Sequence, residues 1–171
     1  DKVICWGIND SGELDVPPLS KVREVSAGGN HACAIDEHGL HCWGQNRYGE
    51  TDIPTDLVNV RTVSTGYNTT CVMDDNGPRC WGDTNYGLDD VPTLNNPTEV
   101  HATGHGACAI DDDGIKCWGW NRDGQDRPPH INNLKQVSFG DYHHCLLDDS
   151  GVHCWGSVSY THLTLPTTRL V

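Results

Sequence analysis

The tripeptide Cys-Trp-Gly occurs five times in this 171-residue chain, and its spacing constrains the fold more than any other feature. The copies begin at Cys5, Cys42, Cys80, Cys117 and Cys154, so they are 37, 38, 37 and 37 residues apart. A fixed period of this size is typical of a repeat architecture, in which each unit packs against its neighbours. We therefore predict a repeat region over 1–157, with units at 5–41, 42–79, 80–116 and 117–153 and the start of a fifth.

The composition favours short strands over helices. The chain has one Met, 19 Gly and 9 Pro, and such a content is typical of strands joined by turns. In the second unit, Val58 to Ser64 alternates apolar and polar residues and predicts a first strand. Thr69 to Met73 and Arg79 to Gly82 predict the second and third strands, and Asp89 to Val91 is a candidate for a short fourth strand. The fold class is therefore all-β.

The charge excludes several classes of partner. With 11 basic and 24 acidic residues the formal net charge is -13, which repels nucleic acid and anionic membrane surfaces. No apolar run approaches the roughly 20 residues of a membrane-spanning helix. We expect neither nucleic-acid binding nor membrane insertion.

The other four cysteines each precede a Cys-Trp-Gly cysteine by nine residues. Pairing Cys33 with Cys42 would place Asp36 opposite Gly39 and leave Glu37 and His38 as a two-residue hairpin turn. The predicted disulfides are Cys33–Cys42, Cys71–Cys80, Cys108–Cys117 and Cys145–Cys154, and the partner of Cys5 would precede residue 1.

These disulfides would indicate an oxidising compartment. Two alternatives remain for the cysteines, namely reduced thiols in a core and a zinc site, although the C-x8-C spacing is unlike that of zinc sites. A bulged three-residue turn would also shift the register and separate the cysteines. The acidic hairpin turns, such as Asp74-Asp75, are explained by turn chemistry, and calcium binding is the alternative.

Short antiparallel strands in units of about 37 residues, each with a tryptophan to pack between sheets, predict the blades of a β-propeller. The stretch from Val25 to Glu50 resembles the repeat of the regulator of chromosome condensation family. Its short, cysteine-bearing form is similar to that of secreted proteins and receptor ectodomains, and to the repeat of a propeller-type β-lactamase inhibitory protein. The resemblance implies a ring of seven blades. We expect this chain to be a fragment that forms an open arc of about four, whose free faces take the missing blades of the same propeller.

The stretch 158–171 departs from the repeat. It resembles a translated sequencing-adapter read-through, and we interpret it as an artefactual extension. A natural C-terminal tail is the alternative.

Candidate binding residues lie where the repeat varies. The loops after the first and third strands should emerge on one face, and they carry Tyr, Trp and Arg, which are favoured at the centres of protein interfaces. The predicted partner-binding residues are Arg47, Tyr48, Tyr67, Tyr86, Trp120, Arg122 and Tyr142. The alternative is that these rings only pack against neighbouring blades.

No motif of a catalytic, cofactor or metal site interrupts the repeat. Histidines recur at positions where other units have Thr, Gly, Arg or Lys, which does not suit a metal ligand. We therefore predict no cofactor, no metal and no enzymatic activity.

The sequence predicts a secreted or cell-surface module that binds a protein partner of undetermined identity. One alternative is a purely structural propeller segment of a large multidomain surface protein. Another is an exchange-factor or enzyme activity, as the family resemblance allows.

Overall fold

Twelve strands form four separate antiparallel sheets, each of three consecutive strands, in the computed structural model, which describes residues 2–122 and 124–157. The first two sheets consist of β1 (Glu24–Ala27), β2 (His31–Asp36), β3 (Gly39–Gly44), β4 (Thr62–Thr65), β5 (Thr69–Asp74) and β6 (Gly77–Gly82). The other two consist of β7 (Glu99–Ala102), β8 (Gly106–Asp111), β9 (Gly114–Gly119), β10 (Gln136–Phe139), β11 (His143–Asp148) and β12 (Gly151–Gly156). The all-β prediction is confirmed, and the predicted extension 158–171 lies outside the described residues.

The second and third strands of each sheet form the predicted hairpin. In the first sheet Cys33 is opposite Cys42 and Asp36 is opposite Gly39, so that two residues form the turn. The same register recurs in the other three sheets. The bulged-turn alternative is therefore wrong for all four hairpins.

Each hairpin carries a disulfide between directly opposed cysteines, with Cα atoms 4.0 to 4.1 Å apart. The four bonds are Cys33–Cys42, Cys71–Cys80, Cys108–Cys117 and Cys145–Cys154, as the nine-residue interval predicts. Cys5 is a free thiol among the described residues and is half-buried.

The candidate fourth strand is wrong, and so is the predicted start of the first strand of the second unit. The segment from Asp89 to Val91 forms a turn and irregular chain, since the Asp90 N–H donates to the Gly87 carbonyl at 3.1 Å. The first strand of the second unit begins at Thr62 rather than Val58. Val58 instead donates its N–H to the Asp74 carboxylate at 3.0 Å, and Asn59 takes a left-handed conformation with φ of 52°. A strand cannot run through such a residue.

Consecutive sheets pack through one repeated contact. The disulfide-bearing face of one sheet lies against the tryptophan-bearing face of the next, as in the cluster that joins Cys33 and Ile35 to Val63, Val72 and Trp81. Equivalent clusters join the second sheet to the third and the third to the fourth. The chain is thus an open arc of four propeller blades.

The tryptophans also form polar links between units. In the four tryptophans of the blades' third strands, the indole N–H donates to a backbone carbonyl in the loop of the preceding unit, about 30 residues earlier, because a buried donor needs an acceptor. The pairs are Trp43 with Glu13 at 3.0 Å, Trp81 with Glu50 at 3.0 Å, Trp118 with Leu88 at 2.9 Å and Trp155 with Gln125 at 2.9 Å.

The first strands line the inner side of the arc. β1 contacts β4, and β4 contacts β7. The Ser26 and Thr65 hydroxyls are 2.8 Å apart, and the Ala102 N–H donates to the Ser64 hydroxyl at 3.0 Å. These bonds hold successive blades at their narrow end. The described residues include no helix that is long and apolar enough to span a membrane.

Candidate functional site

The loops after the first and third strands of a blade lie side by side. The Asp83 N–H donates to the Asn68 carbonyl at 2.9 Å, and the Trp120 N–H donates to the His105 carbonyl at 3.1 Å. Gly82 makes this approach possible, because its φ is +118° and an added Cβ would lie 2.2 Å from the Asn68 oxygen. Both loops therefore reach the same edge of the arc.

Four aromatic rings from three units meet at this edge. The His105 ring is 5.8 Å from Tyr67, 5.1 Å from Tyr86 and 5.5 Å from Trp120, measured between ring centroids. Tyr86 and Trp120 contact each other edge to face at 4.4 Å. We call Tyr67, Tyr86, His105 and Trp120 the aromatic cluster. It joins residues up to 53 positions apart, from Tyr67 to Trp120.

The aromatic cluster packs against the preceding blade on one side and is exposed to solvent on the other. Tyr67 lies on the preceding blade, where an added Cβ at Gly29 would come within 2.5 Å of the ring. Tyr67 and Tyr86 are nevertheless 44% and 41% exposed. The rings are therefore fixed in position while part of their surface remains free, which favours an interface residue over a purely structural one.

A buried carboxylate lies beneath the rings. One oxygen of Asp83 is 3.6 Å from Nδ1 of His105, and the other accepts the backbone and side-chain N–H groups of Asn85 at 3.1 and 2.7 Å. The Asp83 residue itself is 4% exposed. It fixes the loop that carries Tyr86 and places a negative charge close to His105.

The other predicted partner-binding residues lie apart from the cluster. Arg47 stacks over its neighbour Tyr48, with its guanidinium carbon 5.5 Å from the ring centroid. Tyr48 and Tyr142 are 37% and 52% exposed, and Arg122 is exposed. Within the described part of the chain, no ring contact connects them to the aromatic cluster. Their role in binding stays a prediction.

Sequence reasoning did not select His105 or Asp83. His105 lies where the other units have Asn30, Asn68 and Tyr142, and Asp83 lies where two of the other units have Gln45 and Trp120. The signal available in the sequence was that the unit 80–116 differs from the other units at both of these positions. It did not reveal that the two side chains face each other.

The acidic hairpin turns are structural, as the turn chemistry predicted. The first aspartate of each turn is buried and accepts a backbone N–H from a residue 16 positions earlier; these aspartates are Asp36, Asp74, Asp111 and Asp148. The Ser20 N–H, followed by His38 and His41, holds the pKa of Asp36 well below its usual range. The Ser150 side chain, followed by the Asn132 N–H, does the same for the pKa of Asp148.

Two histidines are buried in the interfaces between blades. Burial lowers the pKa of His31 to about 4, and burial with the neighbouring His143 lowers that of His144 to about 4. His144 packs on Phe139 and Trp155, at 5.3 Å from each ring. Its ligand atoms also lie within 4.8 Å of the Cys108 and Cys117 sulfurs, but both sulfurs are in a disulfide.

The comparisons identify the repeat. The family model for the regulator of chromosome condensation (RCC1) repeat matches residues 22–50 and 134–160. A search of curated protein sequences found no match.

Three solved structures are similar to the chain over most of its length. The CRINKLY WD40 ectodomain of the receptor kinase ACR4 from Arabidopsis thaliana is 23% identical over 79% of this chain and 50% of its own, with a TM-score of 0.67. The ectodomain of the receptor kinase CR4 from Physcomitrella patens is 27% identical over 90% of this chain and 46% of its own, with a TM-score of 0.72. Yeast RCC1 (Prp20), solved with Kap60, is 16% identical over 97% of this chain and 54% of its own, with a TM-score of 0.72.

The chain spans about half the length of each of these structures. The repeat match and the shared arrangement of blades agree with the resemblance found in the sequence. The chain therefore carries regulator of chromosome condensation repeats at residues 22–50 and 134–160, and its fold is similar to that of yeast RCC1.

Proposed function

We propose that this chain is a non-enzymatic protein-interaction module of a secreted or cell-surface protein, and that it binds its partner through the aromatic cluster. The observation that carries the proposal is the convergence of Tyr67, Tyr86 and Trp120 around His105. Three rings that are held rigidly and stay part-exposed offer a large contact area with little loss of side-chain entropy on binding.

The similar structures support an interaction role. Two of them are ectodomains of receptor kinases. A further similar structure, Prp20p from Saccharomyces cerevisiae, is described together with its binding properties to Gsp1p and histones. That structure is 16% identical to this chain, so it supports the fold, and we do not transfer its partners.

Four disulfides support the extracellular location. Each disulfide joins the two strands of one hairpin. Such bonds form and persist in oxidising compartments. The two receptor ectodomains are consistent with the same location.

The partner should contact an amphipathic surface. The free edges of Tyr67 and Tyr86 offer apolar area and hydroxyl groups, while the Asp83 carboxylate below them adds negative charge. Together with the net charge of -13, this favours a partner whose contact surface is neutral to basic.

The proposal is tested with the triple variant Tyr67→Ala/Tyr86→Ala/Trp120→Ala. The wild-type chain is screened by surface plasmon resonance against purified ectodomains and secreted proteins from the same source. For any protein that binds, we expect the triple variant to weaken binding by at least about 100-fold, because ring truncations at an interface centre cost about 2 kcal/mol or more each.

The matched control is Val58→Ala/Val91→Ala, which truncates two exposed apolar side chains that are not among the predicted partner-binding residues. It should bind within about threefold of the wild type. Equal loss in the control and the triple variant, or full binding by a folded triple variant, would contradict the proposed surface. Folding of each variant is checked by its disulfide content and thermal transition.

A further inference from the structure

Two asparagines of this chain begin an Asn-x-Ser/Thr triplet, the acceptor sequence for N-linked glycans in secreted proteins. The triplets are Asn9-Asp10-Ser11 and Asn68-Thr69-Thr70. Asn96-Pro97-Thr98 has the same spacing, but a proline in the middle position excludes it as an acceptor. The fold distinguishes the two remaining triplets by their burial and their contacts.

The triplet at Asn68 is closed by the fold. Asn68 is 4% exposed, its N–H donates to the Gly104 carbonyl of the third blade at 3.3 Å, and its carbonyl accepts the Asp83 N–H at 2.9 Å. Thr70 is fully buried, and its hydroxyl donates to the Glu50 carbonyl at 2.8 Å. A glycan is bulky and polar, so it needs a surface position. A chain with a glycan at Asn68 could not form the contact between the second and third blades.

The triplet at Asn9 is open to solvent. Asn9, Asp10 and Ser11 are all exposed and lie in an irregular loop. The Asn9 side chain holds this loop, because its oxygen accepts the Leu14 N–H at 2.8 Å and its Nδ2 donates to the Asp15 carboxylate at 3.2 Å. Nδ2 carries two hydrogens. Replacement of one hydrogen by a sugar therefore leaves the other for the bond to Asp15.

The exposure of Asn9 is a property of this type of loop, as its equivalent one repeat later shows. Asn46 is also exposed, although its loop lies between two described blades. Its side chain makes the same two bonds, to the Asp52 carboxylate at 2.7 Å and from the Thr51 N–H at 3.1 Å. Asn46 is not an acceptor, because Tyr48 stands where the triplet needs a hydroxyl.

We infer that Asn9 is an N-glycosylation site of the secreted protein and that Asn68 stays unmodified in the folded chain. This inference rests on the extracellular location in the proposed function and does not depend on binding by the aromatic cluster.

The covalent step transfers a preassembled oligosaccharide from a lipid pyrophosphate, which a glycosyltransferase of the secretory pathway supplies. The Asn9 Nδ2 attacks the anomeric carbon of the first sugar, so that a C–N bond forms as the C–O bond to the pyrophosphate breaks. Nδ2 loses one proton, and the lipid pyrophosphate leaves with the electrons of the broken bond. No oxidant or reductant takes part.

The two triplets differ in what a glycan would do to the partner-binding edge. Ser11 holds the repeat position of Tyr48 and Tyr86, so a glycan at Asn9 lies on this edge two units before Tyr86. The aromatic cluster then remains accessible. A glycan at Asn68 would instead adjoin Tyr67 and cover the cluster.

The test is site mapping on the whole chain, secreted from a eukaryotic host with an added leader. Peptide N-glycosidase converts each glycosylated asparagine to aspartate, and peptide mass spectrometry locates the conversion. We expect conversion at Asn9 and none at Asn68 in the secreted protein. A secreted protein without a glycan at Asn9, or with one at Asn68, would overturn the inference.

Two variants of Ser11 show whether the modification depends on the triplet. Ser11→Ala removes the required hydroxyl but keeps both hydrogen bonds of the Asn9 side chain, and it should abolish the glycan. Ser11→Thr is the matched control and should retain it. A glycan that persists in Ser11→Ala would also overturn the inference.

A thiol count on the same secreted sample separates this inference from the location on which it rests. One free thiol with an unmodified Asn9 would overturn the glycosylation site and leave the extracellular location intact. Nine free thiols would contradict the location, and the inference would fail with it.

Discussion

At the scale of single residues, hydrogen bonding defines the state of His31. The Thr70 hydroxyl donates to the Glu50 carbonyl at 2.8 Å, so it must accept the N–H of His31 Nε2, which is 2.8 Å away. Nδ1 is then the unprotonated nitrogen, and it is buried without a hydrogen-bond partner among the described residues. A second proton would add a charge at a site with no acceptor, which explains why burial lowers the pKa of His31 to about 4.

This histidine should make the fold sensitive to mild acid. Because the folded pKa of about 4 lies below the unfolded value of 6.5, the unfolded state binds more protons between these pH values. The free energy of unfolding should therefore fall as the pH drops from 6.5 to 4, with His31 contributing up to about 3 kcal/mol. Urea unfolding at several pH values should show a smaller fall for His31→Gln than for the wild type.

The exposed His130 provides the control. His130→Gln should keep the wild-type pH dependence, since it leaves the buried His31 in place. If His31→Gln and the wild type lose the same stability between pH 6.5 and 4, then the burial of His31 does not have this effect.

At the scale of elements, the hairpin turn ties each blade to the connection that leads into it. The Asp74 carboxylate accepts the N–H of Asn76 at 2.7 Å within the turn and that of Val58 at 3.0 Å, 16 residues earlier. One buried side chain therefore holds both the turn and the start of the unit.

Removing this carboxylate should destabilise the chain markedly. Asp74→Ala leaves two backbone donors without their acceptor, and we expect a loss of about 2 to 4 kcal/mol in the free energy of unfolding. Asp75→Ala is the matched control, because Asp75 is exposed and accepts one hydrogen bond, from the Asn59 side chain at 2.6 Å. It should cost less than about 1 kcal/mol by urea denaturation. Equal losses would contradict the structural role of Asp74.

At the scale of the whole molecule, the four disulfides are linked to the contacts between blades. Cys33, Cys71 and Cys108 are 0% to 1% exposed because the following blade covers them. In the fourth sheet, by contrast, Leu147 and Val152 beside the disulfide are exposed. The disulfide face is thus the general contact surface of a blade.

The oxidation state of the cysteines can be counted. Thiol titration of the denatured, unreduced protein should detect one free thiol among nine cysteines, and peptide mapping should assign it to Cys5. Nine free thiols would contradict both the hairpin disulfides and the proposed extracellular location, while three or more would show that some blades lack their disulfide.

Much of the blade was predictable from the sequence because its determinants are local. The opposition of Cys33 to Cys42 and the two-residue turn both lie within one hairpin, from His31 to Gly44, where spacing alone sets the register. The boundary of β4 was not predictable, since it depends on a hydrogen bond from Val58 to a carboxylate 16 residues away.

The five Cys-Trp-Gly copies separate the features that the local sequence predicts from those that depend on contacts between units. The sequence by itself predicted that the tryptophans pack between blades and that the cysteines close hairpins, because every unit repeats the same local pattern. Only the tertiary structure decided which loop carbonyl receives each indole N–H, and which rings meet at His105. Those contacts join different units, and the curvature of the arc, which no single repeat encodes, sets the distance between them.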